Sequence, residues 1–168
     1  MAGSRVAPVG HPTTAGDGLT HCPHWTECGG CQWQDRAYEQ ELLDKRANLE
    51  ERLAGLWAGA SPAPTRIEDI IPSPDVWFYR NKMEFVFGGG PDGVIWLGLH
   101  PRGAYGKVVN VTECLLQSKA TNVILEAMRE FARTLDGRPG GRPYDGRTHQ
   151  GFLRHHVIRE GKTTGDRL

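Results

Sequence analysis

The stretch YRNKMEFVFGGGPDGVIWLGL, Tyr79 to Leu99, decides the fold class. Within it Met83, Phe85 and Phe87 alternate with Lys82, Glu84 and Val86, the period of two that marks a strand with one buried face. GGGPDG, Gly88 to Gly93, punctuates the pattern as a turn, and VIWLGL then resumes as a second strand. A glycine-rich loop that cradles a phosphate leads from a strand into a helix. This one leads into another strand, so a hairpin is the better reading and the nucleotide-binding one is weak.

Working outward, KVVNV (Lys107 to Val111) predicts a third strand that runs towards Cys114. Ile124, Met128, Phe131 and Leu135 then mark one face of a helix that Ser118 caps and Gly137 ends. A loop rich in Gly, Pro and Arg reaches Gln150, and GFLRHHVIRE (Gly151 to Glu160) predicts a further strand. Upstream, Asp35 can cap a helix over 35–57, in which Leu42, Leu49, Leu53 and Leu56 recur at spacings of seven, four and three. Gly55 and Gly59 bracket its end, and ASPAPT (Ala60 to Thr65) is a linker. Its leucine stripe is wide enough to bury, either on the chain's own sheet or on a further domain. Residues 1–20 carry no periodic pattern and read as a flexible leader to one ordered domain over 21–168. The expected fold is α+β, an antiparallel sheet with two main helices and a cysteine-rich loop.

With 38% hydrophobic and 24% charged residues, the 168-residue chain has an ordinary globular balance and is too short for two independent domains. No apolar run follows a basic start and no window approaches the roughly 18 apolar residues of a membrane span, which points to the cytoplasm. Formal net charge is zero, yet it is unevenly spread. Met1 to Phe78 carries 6 Lys and Arg against 11 Asp and Glu, and Tyr79 to Leu168 carries 14 against 9. Such a separation suits a second half that meets a polyanion.

The four cysteines stand as Cys22, Cys28 and Cys31 within HCPHWTECGGCQWQ (His21 to Gln34), and Cys114 far downstream. In a reducing compartment this pattern speaks for metal or catalysis before disulfides. Gly29 and Gly30 let the backbone fold tightly enough for neighbouring sulfurs to approach one centre. Four thiolates suit tetrahedral zinc or a cubane iron–sulfur cluster. Structural zinc more often uses two C-x2-C knuckles, and the single knuckle, uneven spacing and isolated fourth cysteine lean towards iron–sulfur. Zinc and unliganded buried thiols remain the alternatives. His21 and His24 flank the first cysteine as surroundings, since four thiols suffice.

In order, CPHWTECGGCQWQ, YRNKMEF, LGLHPRG, the cysteine after KVVNVTE and GFLRHHVIREGKTTG resemble the iron–sulfur class of RNA uracil-5 methyltransferases, the 23S ribosomal RNA enzymes, over about Cys22 to Gly165. The resemblance implies a [4Fe-4S] cluster on Cys22, Cys28, Cys31 and Cys114, S-adenosylmethionine as methyl donor and a uridine of folded ribosomal RNA as substrate. The cluster would staple the cysteine loop to the sheet rather than pass electrons, and His100 is a candidate neighbour to it. The family's chemistry adds a cysteine thiolate to C6 of uracil so that C5 can attack the methyl sulfonium. Every cysteine here is assigned to the cluster, and no Gly-rich strand-to-helix turn holds a cofactor. The catalytic methyltransferase domain, and the TRAM barrel often found at the amino end, are therefore expected outside this sequence, which reads as the central part of a larger, monomeric enzyme, inactive alone. In that part Arg80, Lys82, Arg102, Arg154, His155 and His156 are candidates for RNA phosphates, with Trp77, Phe78 and Tyr79 either stacking on bases or filling the core. The rival readings are a free-standing metal-stapled RNA-binding module and an iron–sulfur electron carrier.

Overall fold

Four strands form one antiparallel sheet in the order β3-β2-β1-β4, with β1 at Lys82–Gly89, β2 at Ile95–Leu99, β3 at Val109–Asn110 and β4 at His155–Arg159. The computed structural model describes residues 22–57 and 67–168. The expected leader over 1–20, Gly59 and the linker Ala60 to Thr65 lie outside the described residues. Among the described residues no helix is long and apolar enough to cross a membrane.

Strand β1 is central because both its edges are taken. Phe87 stands opposite Leu97 on one side, and Phe85 stands opposite His156 on the other. Its alternation resolves as expected: Met83, Phe85 and Phe87 are buried, while Lys82 and Glu84 face out. Ile95, Leu97, Val109 and Ile158 bring the neighbouring strands onto the same core face. Burying an aromatic side chain as completely as Phe85, which is 0% exposed, contributes about 2–3 kcal/mol. The turn between β1 and β2 is a short 3-10 segment at Pro91–Gly93. The third strand is shorter than KVVNV suggested, and GFLRHHVIRE is regular strand only over its second half.

Helix α2, Lys119–Thr134, closes the core face. Ser118 caps it as expected, its hydroxyl accepting from the Thr121 N–H. The apolar stripe read from sequence is rotated. Thr121, Asn122, Leu125, Arg129 and Ala132 are the buried residues, Ile124 and Met128 only edge the core, and Phe131 is 57% exposed. Arg129 explains the error. It counts as a surface residue, yet its side chain is 1% exposed, because the guanidinium donates to Asn110 Oδ1 at 3.1 Å and to the Val111 carbonyl at the sheet edge and pairs with Glu126. Carbonyls left over where β3 is short are what make that burial tolerable.

Helix α1, Tyr38–Trp57, starts later than the expected Asp35. The Asp35 carboxylate bonds Arg36 instead of a helix N–H, so it is no cap. Lys45 with Glu41 and Arg46 with Glu50 pair at i,i+4 spacing on the exposed face, where solvent screens them. Ties to the following segment are polar: Tyr38 Oη accepts from the Ser73 N–H at 2.8 Å, and Arg46 pairs with Asp69. The leucine stripe is not buried on the sheet. Leu49 is 43% and Leu43 is 61% exposed, with Leu42 and Leu53 half-buried.

Candidate functional site

The cysteine loop is laid across the end of the sheet by backbone pairing. Cys28 bridges Pro101, and the Gly29 N–H donates to the His100 carbonyl at 3.0 Å. A Cβ on residue 29 would lie 2.8 Å from that same carbonyl oxygen, so only glycine permits the approach. Within the loop, tight turns form between His24 and Cys28 and between Cys22 and Trp25. Arg102 then donates to the Cys31 carbonyl at 2.8 Å, and His24 Nε2 accepts from the Thr112 N–H at 3.0 Å. These bonds hold the loop to both the strand β2 exit and the chain entering Cys114.

Cys114 is fixed from the opposite side. Asn122, on the first turn of α2, accepts from the Cys114 N–H at 2.8 Å and donates to the Cys114 carbonyl at 3.0 Å. Gln34 plays a matching part at the other end, accepting from the Cys22 N–H at 2.8 Å. Neither amide carried a signal in the sequence, because each acts through the backbone of a cysteine rather than through a motif.

All four thiols line one enclosed cavity of about 20 Å³, walled by Leu99, Val111, Leu115 and Leu116. All four are free, and among the described residues no three Cys, His, Asp or Glu side chains converge in a metal-coordinating group. Burial pushes every one of the thiols above the usual cysteine range, Cys114 to about 11, and the proximity of the other cysteines raises Cys22, Cys31 and Cys114 further. Left to themselves, then, these thiols stay protonated at neutral pH and are poor nucleophiles. Gln34 is 5% exposed; its Nε2 lacks a partner at full hydrogen-bonding geometry, yet its side chain acts on the Cys31 thiol, lowering its pKa against the larger effect of burial. Four thiols are the donor types that a thiolate-ligated metal takes, but among the described residues they do not converge as a coordinating group.

The residues expected to meet RNA do not form one patch. Arg102 is engaged with the cysteine loop. Lys82 Nζ lies 3.4 Å from Glu84, and His155 lies 3.7 Å from the same carboxylate, so the lysine is partly neutralised on the outer face of β1 and β4. Arg80 lines an open groove of about 990 Å³ with Trp33, Tyr38, Trp77 and Tyr79. There Trp77 is half-buried and Tyr79 is 50% exposed. His156 faces the core, and burial lowers its pKa below the ordinary histidine range. Arg154 lies over the ring of Tyr144, at 4.8 Å, which belongs to the preceding arginine-rich loop.

Proteins similar to this chain carry the names of RNA methyltransferases. No protein-family model matches it. An uncharacterized RNA methyltransferase of Nitratidesulfovibrio vulgaris is 37% identical over 163 residues, covering 97% of this chain and 33% of that protein. One of Halalkalibacterium halodurans is 32% identical over 86% of this chain and 30% of its own length. Among solved structures, the tRNA (uracil-54, C5)-methyltransferase of Pyrococcus abyssi, in complex with S-adenosyl-L-homocysteine, is similar with a TM-score of 0.60 at 27% identity, over 88% of this chain and 32% of that one. Over nearly all of its length the chain is similar to one segment of RNA methyltransferases, and it spans about a third of the length of the relatives it matches.

Proposed function

We propose that this chain is the metal-stapled, RNA-binding part of an S-adenosylmethionine-dependent RNA uracil-C5 methyltransferase of the iron–sulfur class, acting on 23S ribosomal RNA in the cytoplasm as a monomer. The observation that supports the reading is that Cys22, Cys28, Cys31 and Cys114 all line one small cavity, within a chain whose relatives are named RNA methyltransferases. A [4Fe-4S] cluster bound there supplies a covalent cross-link between loop and sheet. Cys22, Cys28 and Cys31 would hold it from the loop and Cys114 from the sheet side, while Gln34 and Asn122 orient the first and last of these ligands, respectively, through their backbones. Metal affinity of this kind is folding free energy. None of the four thiols is left to attack C6 of uracil, so the nucleophile and the methyl-donor site belong to another part of the enzyme. The stripe of half-exposed leucines on α1 is then the surface on which that part docks.

The second reading is a zinc-stapled RNA-binding module, since four thiolates equally suit one tetrahedral zinc ion. Metal analysis after anaerobic purification separates the two. The iron–sulfur reading expects a brown protein with about four irons per chain, bleached and destabilised by Cys114→Ser. Stoichiometric zinc without iron would replace the cluster with the module.

A further inference from the structure

The segment from Gly137 to Arg154 carries Arg138, Arg142, Arg147 and Arg154. Its backbone is ordered by its own bonds: Tyr144 N–H to the Leu153 carbonyl at 2.8 Å, Asp145 N–H to the Gln150 carbonyl at 2.7 Å, and Phe152 N–H to the Arg142 carbonyl at 2.8 Å. Gly151, at φ 107°, passes so close to Pro143 that a Cβ would stand 2.2 Å from its carbonyl oxygen. This is a built platform.

Its side chains are left unserved in a particular way. Phe152 is 75% exposed, and no ring or cation among the described residues covers it, whereas the neighbouring Tyr144 is covered by Arg154 and bonded to His149 at 2.8 Å. Phe152, Arg138 and Arg142 line one open cleft with Gly137 and Gly151. None of the arginines has a carboxylate at ion-pair distance among the described residues. Arg142 reaches only the Gln150 amide, and the Asp145 carboxylate is taken up by the N–H groups of Arg147 and Thr148. On α1, by contrast, Arg36, Lys45 and Arg46 each have a carboxylate partner. An uncovered aromatic ring beside Arg138 and Arg142, on a segment where Asp145 is the one carboxylate that acts on Arg142 and Arg147 and pairs with neither, complements a chain of alternating bases and phosphates. A protein partner with an acidic tail would need the charge but not the ring.

We propose that Gly137 to Arg154 is a platform for single-stranded RNA, on which a base stacks against Phe152 while Arg138, Arg142 and Arg147 hold the adjoining phosphates. The inference rests on the RNA reading above and places its footprint away from Lys82 and His155, both of which lie beside the Glu84 carboxylate.

The test titrates the whole chain with a fluorescein-labelled single-stranded uridine-rich decamer at several salt concentrations. Phe152→Ala should weaken binding by about 5- to 150-fold without changing the slope of log affinity against log salt. Phe152→Tyr should restore it. Arg138→Gln, Arg142→Gln and Arg147→Gln together should flatten that slope by about 2, at roughly 0.7 per phosphate contact on a single strand. A decamer with 5-iodouridine should photocross-link at Phe152, located by mass spectrometry. If the wild-type chain binds and the Phe152 and arginine variants bind equally well, the platform is refuted and RNA binding stands elsewhere. If only the arginine variant weakens, the site is a general polyanion patch and the platform is refuted too. No binding by the wild-type chain would remove the RNA reading itself.

Discussion

Asn122 shows how a single amide can decide whether a distant cysteine is usable. It is 3% exposed and satisfies both backbone polar groups of Cys114 while adding a donor to the Ser118 carbonyl at 3.2 Å. Asn122→Ala should strip the partners from a buried N–H and a buried carbonyl, at a cost of about 1–3 kcal/mol. Chemical denaturation should show the loss, and reagent labelling should find Cys114 more reactive. Unchanged stability and unchanged labelling would mean that contacts other than the Asn122 amide hold Cys114. The cysteines themselves were legible in the sequence, because thiol spacing announces itself. Asn122, Gln34 and Arg129 were not, because a polar residue satisfied by main-chain atoms has no motif, and its burial depends on which carbonyls the sheet leaves open. The RNA candidates fared unevenly for a related reason. Nothing in YRNK or HPRG shows that Glu84 sits against Lys82 or that Arg102 is spent on the Cys31 carbonyl.

The elements were read well where one period dominated and poorly where a helix mixed roles. The β1 alternation and the Ser118 cap followed directly from local chemistry, whereas the α2 face was misplaced by the buried arginine. For the cysteine loop the decisive contact is the backbone approach at Gly29. Gly29→Ala must push the loop off His100, so the melting temperature should fall by several degrees for a loss of about 1–2 kcal/mol, and metal should be released to chelators sooner. Gly106, whose added Cβ meets nothing within 4 Å, gives the control: Gly106→Ala should leave both unchanged. Equal melting and equal metal retention for the two variants would show that the loop has slack and that the Cys28 to Pro101 bridge is incidental.

For the whole molecule, the proposal makes an arithmetical demand. Four cysteines occur in the sequence, and four ligands exhaust them. The chain incubated with labelled S-adenosylmethionine and unmodified ribosomal RNA should transfer no methyl group, and a separately supplied methyltransferase domain should be required for any transfer. Label above a boiled control from the chain alone would expose one assigned ligand as the nucleophile. The sheet order has another consequence, for synthesis. Strand β1 is flanked by β2, its immediate successor, and by β4, some seventy residues further along. As the chain emerges from the ribosome, the β1–β2 hairpin can close at once, but the far edge of β1 stays unpaired until His155–Arg159 has been made. During that interval the nascent protein presents a long, apolar strand edge, the kind of surface on which chains aggregate and chaperones act. Under the proposed function, a metal tying Cys22, Cys28 and Cys31 to Cys114 would have all its ligands before β4 exists, and would hold the half-built sheet in register while the last strand is still being translated.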